Sequence, residues 1–198
     1  MVRSVLKRKM LDTLRSWRAE KGAECLLIKG ARQVGKSYIV AEFGRQDYES
    51  FISIDFIGSP DLKRVFDGPI DADSIYRQIS LVVPGVRFVP GRTLLFLDEI
   101  QECPRARAAL KYLALDGRCD VVASGSLLGI RFKEEAALAS IPVGYEREVE
   151  MGPLDFEEYL WARGYGEDDI ANLREYYESL MPVPVAVNQK MMQMPVSY

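Results

Sequence analysis

Histidine is absent from all 198 residues. A Ser-His-Asp triad, a Cys-His pair, a histidine general base and histidine metal ligands are therefore excluded, which leaves carboxylates, Lys, Arg, hydroxyls and the backbone to carry any chemistry. Cysteine is scarce: Cys25, Cys103 and Cys119 are odd in number and never spaced C-x-x-C. That supports neither a disulfide framework nor a zinc site and fits a reducing, cytoplasmic location. No apolar run exceeds four residues, so neither a signal-peptide core nor a membrane-spanning helix is expected. An excess of one charge is also lacking. Lys and Arg number 26 against 29 Asp and Glu, a formal net charge of -3, which gives no overall electrostatic case for a nucleic-acid partner.

What is present is an ordinary globular composition, with 48% hydrophobic and 28% charged residues, 15 Gly and 10 Pro. The length admits one large domain, or one domain and a fragment. Charge is unevenly placed: residues 1–20 hold six basic and two acidic side chains, residues 144–180 three basic and eleven acidic. The basic end reads as the solvated face of an amphipathic helix before it reads as a phosphate-binding surface.

Val2, Leu6, Met10, Leu14 and Trp17 recur at helical spacing, which predicts an amphipathic helix over 3–20 that ends at Gly22. Short apolar runs then alternate with helical stretches. Strands are expected at 24–29, 49–57, 92–98 and 119–124, and helices at 36–44, 73–83 and 105–115, a pattern that means a parallel sheet with crossover helices. A further strand at 146–151, the Gly152-Pro153 break and helices near 155–163 and 168–180 follow. From Met181 onward no element is expected, and the text reads as a linker or the start of a second domain.

Gly30-Ala31-Arg32-Gln33-Val34-Gly35-Lys36-Ser37 is G-x-x-x-x-G-K-[ST], set between the apolar strand Leu26-Leu27-Ile28 and the helix expected over 36–44. Glycines let the backbone curl so that successive N–H groups and the helix N-terminus face a polyphosphate. Lys36 would reach the terminal phosphates and Ser37 would offer its hydroxyl to Mg²⁺. Chance produces this match in fewer than about 1% of chains this long. The expected nucleotide contacts are Gly30 through Tyr38.

Leu94-Leu95-Phe96-Leu97-Asp98-Glu99 has the form of a Walker B strand, with Asp98 lying 61 positions after Ser37. Four consecutive apolar residues place the strand between two neighbours, and ligands bind at the carboxyl ends of such strands. By itself the pattern is as well a strand running into a solvated turn. Beside the phosphate loop, Asp98 becomes the expected metal-ordering carboxylate and Glu99 the group that activates water. A water-activating Glu favours hydrolysis over transfer to a small molecule, and no Asn-Lys-x-Asp guanine motif is present, which makes ATP the expected nucleotide.

Val121-Val122-Ala123-Ser124-Gly125-Ser126 is another apolar strand ending in hydroxyls. Together with the phosphate loop, the Asp98-Glu99-Ile100-Gln101 turn, Ser124-Gly125-Ser126-Leu127-Leu128 and Pro153-Leu154-Asp155-Phe156-Glu157-Glu158-Tyr159-Leu160, it resembles a family of bacterial and archaeal AAA-type ATPases. These carry an ATPase module followed by a C-terminal domain of unknown function. The resemblance, over about residues 5–185, implies an α/β fold with a three-layer, mostly parallel P-loop NTPase sheet in strand order 5-1-4-3-2, preceded by the N-terminal helix. It implies Mg²⁺-dependent ATP hydrolysis with Lys36, Glu99 and a sensor-like Ser124 as the acting residues, and coupling of nucleotide state to an unnamed protein partner. The expected organisation is a helix over 1–22, an ATPase core over 23–165 and the beginning of a C-terminal domain over 166–198. Family members usually place Gly-Arg shortly before Pro-Leu-x-Phe. Here Gly144-Tyr145-Glu146-Arg147 displaces the arginine, so Arg131 and Arg147 are both candidates for an arginine finger. A finger supplied in trans would make the working form a homo-oligomer, and a chain without one would bind ATP as a switch with little turnover.

Overall fold

The computed structural model describes residues 6–20, 22–126 and 144–192. These fall into two compact units, one of Met10–Gly152 and one built from the residues up to Lys9 together with those from Pro153 onward.

In the larger unit, helix α1 (Met10–Glu20) leads into strand β1 (Cys25–Gly30), helix α2 (Lys36–Asp47) and strand β2 (Ser50–Asp55). Helix α3 (Ala72–Val82), strand β3 (Thr93–Asp98), helix α4 (Pro104–Asp116), strand β4 (Asp120–Ser126) and strand β5 (Glu146–Glu150) follow. The sheet order is β2-β3-β4-β1-β5 and every pairing is parallel. This is the expected 5-1-4-3-2 order. Strand β3 is buried at every position because both of its faces are covered, as its unbroken apolar run requires.

Alternation along the strands divides the core into two. Leu26, Ile28, Leu94, Phe96 and Val122 face Leu14 and Trp17 of α1 and Ile39, Val40 and Phe43 of α2. Leu27, Ile52, Ile54, Leu95, Leu97 and Val121 face Ile75 and Ile79 of α3 and Ala106, Leu110 and Leu113 of α4. Helices on both faces make the three layers. Edge strand β5, whose sequence is Glu-Arg-Glu-Val-Glu, is held by charge: Arg107 pairs with Glu146 at 2.8 Å, both side chains nearly buried, and Lys29 pairs with Glu148 at 2.5 Å. Two short 3₁₀ turns, Pro60–Phe66 and Ile100–Glu102, are too brief to leave a periodic signal.

In the smaller unit, helices α5 (Phe156–Ala162), α6 (Glu167–Glu178) and α7 (Val185–Met192) follow one another. A capping box opens α5: the N–H of Glu158 donates to Asp155 at 2.9 Å and the N–H of Asp155 donates back to Glu158 at 3.0 Å. The other oxygen of Glu158 accepts from the backbone N–H of Lys9 at 2.8 Å and lies 3.1 Å from Arg8 Nε, with both side chains only 6% exposed. The Lys9 ammonium stands 2.6 Å from both Asp155 and Glu157. Their hydrogen bonds hold its pKa above the ordinary lysine value. Lys7 pairs with Glu167 and lies over the Trp161 ring. Lys7, Arg8 and Lys9 of the basic end thus pair with Asp155, Glu157, Glu158 and Glu167 of the acidic stretch inside one unit.

Two expectations are corrected. The N-terminal helix begins at Met10 and not at residue 3; of the stretch expected to precede it, residues 1–5 lie outside the described residues. Arg8 and Lys9 are bound through backbone and side chain to Glu158, some 149 residues onward, a tertiary tie that overrides local periodicity. The stretch after Met181 does form an element. Pro184 stands directly before α7 and accepts the N–H of Asn188 at 3.0 Å, and its missing N–H costs nothing at a helix start. No described helix is long and apolar enough to cross a membrane.

Candidate functional site

The ends of β1, β3 and β4 meet at the carboxyl edge of the sheet, with Ile28 beside Ser124, Gly30 beside Ser126 and Leu97 beside Ala123. The phosphate-loop sequence leaves this edge and turns into α2. Gln33 and Gly35 adopt left-handed backbone conformations, with φ of 65° and 94°, the kind of backbone from which an anion-binding nest of N–H groups is built. Gly35 caps α2 without any side-chain hydrogen bond, and the first turn of α2 carries no acid. The positive end of the helix is therefore left for an anion.

Gly30 is required for a different reason. A Cβ there would lie 2.2 Å from the Met151 carbonyl oxygen, on the segment whose N–H bonds Lys29 at 2.7 Å. Gly30→Ala must push two strand ends apart, and is expected to lower stability by about 1–3 kcal/mol. A denaturation midpoint equal to the wild type would show that the ends separate freely.

Lys36 is 5% exposed, and its ammonium donates to the carbonyl oxygens of Gly30 at 3.0 Å and Ala31 at 2.7 Å. Burial pushes its pKa down from the ordinary lysine value, opposed by the charges of Glu99 and Asp98. The Ser37 hydroxyl donates to Asp98 at 2.6 Å. Ser124, fully buried, donates to the other Asp98 oxygen, and the Glu99 N–H points to Asp98 at 3.1 Å and to Ser124 Oγ at 3.4 Å. Glu99 itself is left-handed, with φ 55° and ψ 50°. The carboxylate expected to order a metal and the hydroxyl expected to share it are thus in contact, and Lys36 and Glu99 lie beside them.

Ser124 has one proton, and Asp98 receives it. In this arrangement Ser124 orders Asp98 and can only accept from other groups. Arg147, one of the two arginine candidates, is held by Glu20 and Glu24. Arg131, with Leu127 and Leu128 of the Ser-Gly-Ser-Leu-Leu motif, lies outside the described residues. Ala31, Arg32, Gln33, Ser37 and Tyr38 are exposed, and Val34 is half-buried. Gln101 is a further residue at this site, beyond those expected from the sequence to bind or act. It is 5% exposed and its amide donates to Glu99; its place in the Asp98-Glu99-Ile100-Gln101 motif was the available signal.

Hard oxygen donors at the tip of an uncapped helix suit a divalent cation carried on a polyphosphate. Among the described residues no group of three or more acidic or cysteine side chains forms a metal cage by itself, so an ion here would complete its shell with water and phosphate oxygens.

Residues 23–160 match the family model described as AAA domain. Comparison with curated proteins finds no match. Among solved structures the chain is similar to the ORC2 protein of Aeropyrum pernix, solved as ADPNP-ADP complexes, with 16% sequence identity and a TM-score of 0.47. That similarity covers 78% of this chain and 50% of the other, so the chain spans half the length of that relative.

Proposed function

Because this chain belongs to the AAA-domain family, whose members are P-loop ATPases, we propose that it binds ATP with Mg²⁺ at Gly30–Tyr38 and hydrolyses it to ADP and phosphate. The observation that carries the reading is the Ser37 to Asp98 hydrogen bond of 2.6 Å at the open N-terminus of α2, beside a buried Lys36. Ser37 and Asp98 would hold Mg²⁺, which when bound neutralises charge on the β- and γ-phosphate oxygens. The loop N–H groups and the Lys36 ammonium orient the polyphosphate. Glu99 accepts a proton from water as the water oxygen bonds to the γ-phosphorus and the bond to the ADP oxygen breaks. Ser124 fixes Asp98, and sensing of the γ-phosphate by Ser124 would require that its proton leave Asp98. Turnover would drive a protein partner in the cytoplasm.

A second reading is favoured by one observation. In this arrangement Arg147 pairs with Glu20 and Glu24 and would have to leave both to act as a finger, a contact worth about 10³–10⁵ in rate. The chain would then be an ATP-held interaction switch with little turnover of its own.

Phosphate release from Mg²⁺-ATP, measured per chain over a wide range of protein concentration with Lys36→Met as blank, separates the two. Specific activity that rises with concentration supports hydrolysis with an arginine from a second copy. Activity at the blank with ATP bound supports the switch. Absence of ATP binding overturns both.

A further inference from the structure

We propose that Gln101 is a positioning residue that holds the Glu99 carboxylate in place for proton transfer, and the proposal rests on the reading of Glu99 as the group that activates water. The backbone around Glu99 is fixed: its N–H faces Asp98 and Ser124, its carbonyl accepts the N–H of Glu102 at 2.9 Å, and Ile100 accepts the N–H of Cys103 at 3.0 Å. Ile100, fully buried in the core, anchors the turn. The Glu99 side chain still has its own rotatable bonds, and a fixed backbone does not choose among them. The Gln101 amide, donating to Glu99 Oε2, makes that choice.

Two features mark this contact as more than packing. Gln101 is 5% exposed, and burying an amide is costly unless its hydrogen bonds are made; Met fills the same volume without that cost. The amide is also neutral. A Lys or Arg here would favour the carboxylate anion and weaken it as a proton acceptor, whereas an amide orients it with a smaller effect. The competing partner is close by, since the Glu99 charge already acts on the Lys36 ammonium. Without Gln101 and without nucleotide, Glu99 is free to turn toward Lys36; bound ATP reclaims the ammonium, and the water is left without an oriented acceptor.

Gln101→Met tests this in two ways. In a crystal structure of the variant without nucleotide, the Glu99 carboxylate leaves its position and approaches Lys36; a carboxylate that stays in place overturns the proposal without reference to turnover. In kinetics, Gln101→Met lowers kcat about 10–100-fold while KM for ATP changes less than about threefold, and adds no further loss in a Glu99→Gln background. Wild-type kcat, or losses that multiply in the double variant, overturn the positioning role. If Glu99→Gln alone keeps full turnover, the reading of Glu99 fails and the proposal falls with it. If Glu99→Gln loses turnover and Gln101→Met does not, only the proposal fails. Gln101→Asn keeps an amide at the position but draws it back by about 1.5 Å, so turnover falls here too, and full activity overturns the role.

Discussion

Glu99→Gln is expected to lower Mg²⁺-ATP turnover about 10²–10⁴-fold, the usual contribution of a positioned general base, with ATP affinity kept within about threefold. The substitution is nearly isosteric, so the left-handed turn at Glu99 and its N–H contacts with Asp98 and Ser124 survive. Only the ability to take a proton is lost. Single-turnover phosphate release measured beside ATP affinity separates chemistry from binding. Equal rates in the two proteins would remove Glu99 from the mechanism, whatever the loop binds.

The second large effect is expected far from the phosphate loop. Arg8→Ala removes the cation from a pair in which both side chains are 6% exposed, and breaking a buried pair from one side costs about 3–5 kcal/mol. Glu158 keeps the N–H groups of Lys9 and Asp155, which places the expected loss toward the lower end. Lys7 supplies the contrast. Its pair with Glu167 is more than half exposed on both sides, and its removal should cost no more than about 1 kcal/mol. Hydrogen exchange of the α5 amides reads both: protection collapses in Arg8→Ala and barely changes in Lys7→Ala. Equal effects would mean that the Arg8–Glu158 pair does not hold this unit together.

Much of this arrangement is legible in the residues because it rests on local spacing. The phosphate loop, the apolar run ending at Asp98 and the strand ending at Ser124 each carry their signal within about ten residues. What escapes is set by distant partners. Arg8 and Lys9 fit a helical face, yet a carboxylate on α5 takes them out of the helix. Gly30 reads as a loop glycine, while the contact that demands it is a carbonyl at Met151. Helix α7 hides behind two prolines that a linker would also contain. Gln101 stands in the Asp98-Glu99-Ile100-Gln101 motif, but its role does not show there, because a hydrogen bond between side chains two residues apart has no period.

Titration of ATP with Mg²⁺ into the wild-type chain and into Lys36→Met, followed by calorimetry, decides whether the loop is a nucleotide site. Lys36→Met keeps the length of the buried stem and removes only the ammonium, a charge-assisted contact whose loss is expected to weaken binding about 10–100-fold. Saturable binding to the wild type with that loss in the variant is the predicted result. Equal affinity in both proteins, or no binding to either, would contradict it.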